Sequence, residues 1–237
     1  MPGDYDGDAK TDPAVYRNGQ WFILRSSDGG TTGVSWGTTG DVPTAGDYDR
    51  DGKTDFAVFR PSTGDWFLLR STAGVAGQNW GVNGDIPVPA DYDGDGQTDL
   101  AVFRPSETRW YILNSSGGIV QQQWGLNSDQ LVVGDYDGDN KADIAVFRPS
   151  DSTWYARRSK DGALQAQVWG ASGDIPVPGD YDGDGETDQT VFRPSEGRWY
   201  CLVRFSGSLS VVNGGGSLLV VPWGTNGDKT LRYIPEQ

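Results

Sequence analysis

Asp91-Tyr92-Asp93-Gly94-Asp95-Gly96-Gln97-Thr98-Asp99, running straight into Leu100-Ala101-Val102-Phe103-Arg104-Pro105, recurs in altered form five times in 237 residues. The copies begin at Asp4, Asp47, Asp91, Asp135 and Asp180, at spacings of 43, 44, 44 and 45 residues. Self-similarity at this period marks a repeat architecture, in which one unit cannot bury its apolar face alone and neighbouring units complete the core.

Outward from the third ladder, Leu100–Arg104, Trp110–Asn114 and Ile119–Trp124 have strand character, and Ile86-Pro87-Val88-Pro89 predicts a short strand ahead of the ladder. Four strands in a unit of about 44 residues is the size of a propeller blade. Glycine at 35 residues, proline at 13 and no helical period agree with short strands and tight turns. The expected fold is all-β: a five-bladed β-propeller of about four strands per blade, forming a single domain over 1–237. The last residues, through Ile234-Pro235, repeat the segment that elsewhere precedes a ladder. They are expected to close the ring by pairing with the N-terminal strand, which would remove free sheet edges.

Alternating carboxylates in a tight loop converge on one point, and a hard cation with six to eight oxygen ligands fits there. The candidate ligands are Asp4, Asp6, Asp8 and Asp12; Asp47, Asp49, Asp51 and Asp55; Asp91, Asp93, Asp95 and Asp99; Asp135, Asp137, Asp139 and Asp143; and Asp180, Asp182, Asp184 and Asp188. The backbone carbonyls of Lys10, Lys53, Gln97, Lys141 and Glu186 are candidate further ligands. Many protein oxygens on flexible loop favour Ca2+ over Mg2+, with up to five ions, one per repeat. Gly52, Gly96 and Gly185 follow the third aspartate, where a left-handed backbone is expected; Asn140 tolerates it and Ala9 does so at a cost of about 1 kcal/mol. Arg50, where other ladders have glycine, is expected to set a cation beside the second loop. Loops one and two are therefore expected to bind weakest.

Two tryptophans recur per unit. Trp21, Trp66, Trp110, Trp154 and Trp199 form one series; Trp36, Trp80, Trp124, Trp169 and Trp223, each followed by glycine, form the other. Interblade packing is the ordinary role of such rings. The second series, with Arg17, Arg60, Arg104, Arg148 and Arg193, is also the candidate ligand-binding set, since rings and forks suit sugars. The arginines have structural partners on offer in Asp41, Asp85, Asp129, Asp174 and Asp228. In the fifth unit the two tryptophans are widely spaced, and Ser206 to Pro222 predicts a lengthened hairpin or a docking loop.

The layout resembles the FG-GAP or VCBS-type repeat of integrin-α-like propellers. Trp-Gly stands for the Phe-Gly pair, and Phe-Arg-Pro stands for the Gly-Ala-Pro that ends the following strand. The resemblance implies a calcium-stabilised β-propeller with metal loops between the first and second strands of each blade. These units are shorter than the integrin ones, and five blades rather than seven are implied.

The formal charge is −14, but the ladders hold most of the acids, and five divalent ions would cancel ten of those charges. No basic nucleic-acid footprint is present. No stretch approaches the ~20 apolar residues of a membrane-spanning helix. Cys201 has no partner in the chain and excludes an internal disulfide framework; its apolar setting predicts a packed side chain. Met1-Pro2-Gly3 is expected to be an expression start joined to a mature segment, without a signal peptide. The absence of histidine excludes His-dependent triads and His-ligated metal, and a non-enzymatic role is expected. The leading expectation is multivalent carbohydrate binding in interblade clefts, lectin-like. The alternative is an extracellular adhesion, protein-interaction or spacer domain in which calcium is structural. Either implies a secreted or cell-surface protein, because extracellular calcium matches weak loops.

Overall fold

The computed structural model describes residues 2–205 and 208–211. It shows five antiparallel sheets and, among the described residues, no helix. This is the five-bladed β-propeller that the repeat predicts. The chain divides into two compact units, Met1–Trp124 and a second that begins at Gly125.

In the first unit, one sheet is β1 (Ala14–Arg17), β2 (Gln20–Leu24) and β3 (Thr31–Ser35). The next is β4 (Val42–Pro43), β5 (Phe56–Arg60), β6 (Asp65–Arg70) and β7 (Gly74–Asn79). The third is β8 (Ile86–Pro87), β9 (Leu100–Arg104), β10 (Arg109–Leu113) and β11 (Ile119–Gln123). The second unit holds β12 (Gln130–Leu131), β13 (Ile144–Arg148), β14 (Thr153–Arg157) and β15 (Leu164–Val168). It also holds β16 (Ile175–Pro176), β17 (Gln189–Arg193), β18 (Arg198–Phe205) and β19 (Ser208–Val211). The expected strands fall within one or two residues of those observed. The closure by Ile234-Pro235, residues 206–207 and 212–222 of the long fifth-unit segment, Trp223 and Asp228 lie outside the described residues.

Burial follows the sequence of each blade. The second strand of a four-stranded blade is covered on both faces and is apolar almost throughout in Leu100–Arg104, whereas Gln189–Arg193 buries the polar Gln189 and Thr190. The third strand alternates, as in Arg109–Leu113, with Trp110 and Ile112 inward. Trp21, Trp66 and Trp110 are fully buried and Trp154 nearly so. Each of these four indoles donates its N–H to the carbonyl of the second tryptophan of its unit: Trp36, Trp80, Trp124 and Trp169, at 2.7–3.2 Å. Apolar clusters join residues of successive blades. Phe59 and Trp66 pack with Leu100 and Val102, and Phe147 and Trp154 pack with Val191. Cys201 is buried as expected.

Candidate metal centre

Ladders two to five each link the short first strand of a blade to its second, and the first ladder leads into β1. The β-bridges Gly3–Asp12, Gly46–Asp55, Ala90–Asp99, Gly134–Asp143 and Gly179–Asp188 close the loop at its base. The first carboxylate then organises the turn. Asp135 accepts from the N–H groups of Gly138 and Asn140, both at 2.7 Å, and Asp91 from those of Gly94 and Gly96 at 2.6 and 2.8 Å. This geometry needs positive φ at two ladder positions. Gly94 and Gly96 supply it, and Ala9 (φ 62) and Asn140 (φ 61) adopt it as expected. The ladder tyrosine points the other way: the Tyr48, Tyr92, Tyr136 and Tyr181 hydroxyls donate to the carbonyls of Thr44, Val88, Val132 and Val177.

The last aspartate is buried in every loop. Asp143 accepts from Tyr136 N–H at 2.8 Å and from Ser159 N–H at 2.6 Å, so it ties the ladder to the hairpin between the third and fourth strands. Burial pushes the Asp55, Asp99 and Asp143 carboxyls up to about 6 and Asp188 up to about 7.

One oxygen each from three carboxylates lies within 4.8 Å of the others in every ladder. The triples are Asp4, Asp6 and Asp8; Asp47, Asp49 and Asp55; Asp91, Asp93 and Asp99; Asp135, Asp137 and Asp143; and Asp180, Asp182 and Asp188. Asp51, Asp95, Asp139 and Asp184 stand outside these triples, as does Asp12. They are engaged elsewhere: each of the four accepts from the amide of the seventh ladder residue, Lys53, Gln97, Lys141 and Glu186, at 2.8–3.0 Å. Asp8 accepts likewise from Lys10.

Serine hydroxyls complete the setting, and the motif reading missed them. Ser71 donates to Asp51 at 2.5 Å, Ser115 to Asp95 at 2.9 Å and Ser159 to Asp139 at 2.8 Å, while Ser26 donates to Asp8 at 2.9 Å. Ser27 and Ser116 reach Asp6 and Asp93. Burial acts upward on Asp51, but its Ser71 and Thr72 partners hold the carboxyl below its ordinary range. The available signal was a serine recurring after the third strand, at 26, 71, 115 and 159.

Arg50 departs from expectation. Its side chain lies against Gly96 of the third ladder, with Nε 3.1 Å from where a Cβ on Gly96 would stand. Its cation therefore leans toward the next loop, across a space that glycine leaves open.

The donor set fits a hard cation. Both carboxylate oxygens of Asp137 and one of Asp49 are buried outside the well-formed hydrogen bonds of their loops, with the Lys160 backbone and the Arg158 charge bearing favourably on Asp137. A buried carboxylate without partner is costly unless a positive charge meets it. Burial, then the neighbouring Asp139 charge, pushes Asp137 upward.

The candidate ligand-binding residues are arranged differently. Arg60, Arg104, Arg148 and Arg193 grip Asp41, Asp85, Asp129 and Asp174 in two-pronged forks at 2.8–3.0 Å. Each guanidinium also lies 4.2–4.5 Å from the ring centre of Phe67, Tyr111, Tyr155 or Tyr200. Each aspartate thus meets the arginine of the following unit rather than of its own; Arg17 faces Phe22 at 5.9 Å, and Asp228, the remaining aspartate of the set, is outside the described residues. Trp36, Trp80 and Trp169 are half-buried and donate their indole N–H to the next blade, at Phe67, Tyr111 and Tyr200 carbonyls. The glycine after the second tryptophan permits close approach: a Cβ at Gly37 would stand 2.7 Å from the Tyr16 hydroxyl.

Residues 91–146 match the FG-GAP-like repeat, and residues 129–165 match the FG-GAP repeat. This stretch carries FG-GAP repeats. The matched segment includes the third and fourth ladders, so the FG-GAP likeness and the carboxylate geometry fall on the same residues. No curated protein matches the chain in sequence. Among solved structures, virginiamycin B lyase from Staphylococcus aureus is 10% identical over 88% of this chain and 68% of its own, with a TM-score of 0.56. An Agrocybe aegerita lectin that recognises non-reducing terminal N-acetylglucosamine is 15% identical over 89% and 64%, with a TM-score of 0.59. A Bacteroides caccae protein of unknown function is 12% identical over 93% and 78%, with a TM-score of 0.54. At these identities the likeness is one of fold. A propeller carrying FG-GAP repeats supports an interaction module, and no described helix is long and apolar enough to cross a membrane.

Proposed function

We propose that this chain is a non-enzymatic, calcium-binding propeller that acts as an extracellular interaction module with a protein partner. The observation that carries the reading is the set of five ladder triples, with the poorly partnered buried oxygens of Asp137 and Asp49 among them. Calcium is the proposed ion because the loops offer a rich oxygen set and no nitrogen or sulfur donor. The carbonyls of Lys10, Lys53, Gln97, Lys141 and Glu186 are proposed to complete the shells. The third-position carboxylates and their serines would orient the ligands, as outer groups commonly do around a metal. The proposed domain is 1–237, and an FG-GAP likeness agrees with an extracellular setting where calcium is abundant.

The protein partner is favoured over carbohydrate by what the clefts have already committed. Four arginine forks and three indole N–H groups are engaged within the fold, so fewer polar groups remain to meet sugar hydroxyls. The fold likeness to a lectin keeps carbohydrate as the second outcome. The test is a glycan array and a panel of extracellular-matrix proteins, both probed in millimolar calcium and after chelation. Saturable binding to a protein, lost on chelation, supports the reading. Saturable binding to glycans alone would overturn the choice of partner.

A further inference from the structure

Successive ladders touch. Thr54 N–H donates to the Asp4 carbonyl at 2.7 Å, and Thr187 N–H to the Asp135 carbonyl at 2.5 Å. Each bond pins the eighth residue of one ladder to the first aspartate of the ladder before it. The seventh residue is thereby laid across the neighbouring loop. Lys53 donates its ammonium to the Asp6 carbonyl at 3.2 Å, and its Cε lies 2.5 Å from where a Cβ on Gly7 would stand. In the second unit the same position is Glu186, whose Oε1 lies 3.0 Å from the Cβ position of Gly138. Both host glycines have positive φ, at 84° and 71°, so the incoming side chain sits where only glycine leaves room.

We propose that the seventh residue of a ladder sets the cation affinity of the preceding loop, with Lys53 weakening loop one and Glu186 strengthening loop four. The inference rests on the calcium reading above and adds to it a residue outside each loop's own ladder. An ammonium beside a divalent ion repels it, and a carboxylate at the same place attracts it. One unit charge at this range, screened by solvent, amounts to roughly a threefold to tenfold change in affinity. Lys53 also acts on Asp51 of its own ladder, so its influence extends to loop two. Loop four combines the anionic neighbour with Asp137, whose buried oxygens have no close hydrogen-bond partner. It is therefore assigned to the tight class.

The experiment is calorimetric calcium titration of the metal-free full chain as wild type, Lys53→Gln, Lys53→Arg and Glu186→Gln, with a melting curve of each. Lys53→Gln should tighten the weak class about threefold to tenfold, Lys53→Arg should leave it unchanged, and Glu186→Gln should loosen the tight class by a similar factor. Calcium binding by all four proteins with superimposable isotherms would overturn the proposal and leave the calcium reading intact. Equal shifts in Lys53→Gln and Lys53→Arg would also overturn it, since packing on Gly7 rather than charge would then be at work. No heat of binding in the wild type would overturn the calcium reading itself and the proposal with it.

Discussion

Asp137 concentrates the metal argument in one side chain. Its oxygens are buried with no close hydrogen-bond partner, the Lys160 backbone and the Arg158 charge offset that only in part, and a poorly partnered carboxylate of that kind costs about 1–3 kcal/mol. Asp137→Asn should therefore leave the metal-free protein as stable as wild type or more stable. In millimolar calcium the same variant should lose most of loop four's share of the calcium-induced rise in melting temperature. Paired melting curves check both halves, and a variant destabilised equally in both conditions would mean that the side chain serves packing alone. Asp129 presents the opposite case. Its side chain is fully buried and held by Arg148 through two hydrogen bonds. Arg148→Met strands that charge and should cost about 3–5 kcal/mol in urea denaturation. Arg148→Lys should cost less, because it restores the charge without the fork. A loss below about 1 kcal/mol in Arg148→Met would show the fork to be incidental.

At the scale of the loop and its hairpin, the last aspartates give the metal-free protein a pH dependence of definite sign. Asp55, Asp99, Asp143 and Asp188 titrate near 6 to 7 in the folded chain, above the ordinary carboxylate value of about 3.9. Between those values the folded state holds protons that the unfolded state has released. Their stabilisation is complete at low pH and lost as pH rises through 6 to 7. The urea midpoint of metal-free protein should fall from pH 4.5 to 7.5. In calcium the trend should reverse, since ligation needs ionised carboxylates and proton release accompanies binding. A midpoint flat across that window without metal would contradict the burial assigned to these four groups.

The ladders and strands were legible because both depend on local order in the sequence. Alternating aspartates set the loop, and the run Leu100–Arg104 set the strand with its bounds intact. The arginine partners were legible as a choice, and the fold resolved it. Less legible was anything set by contact between segments distant in the sequence, within a blade or across blades. The choice of Asp49 and Asp55 over Asp51, the serine donors, and the lean of Arg50 onto Gly96 all depend on where a second segment comes to rest. No period in the sequence encodes those distances.

At the scale of the whole molecule, the metal sites and the fold share their residues. Ladders two to five span the first and second strands of a blade, and the last aspartates of ladders one to four fasten the hairpin beyond, so filling the loops should stiffen the blades they serve. The account's central claim is that the five ladders hold calcium and that the ion supports the fold. The most direct measurement is calcium titration of the metal-free chain by calorimetry, with melting temperature followed on the same samples. Binding of several ions per chain, up to five, with a rise in melting temperature that grows with free calcium, is the predicted result. A chain that melts at the same temperature with and without calcium, and takes up no ion at millimolar concentration, would contradict it.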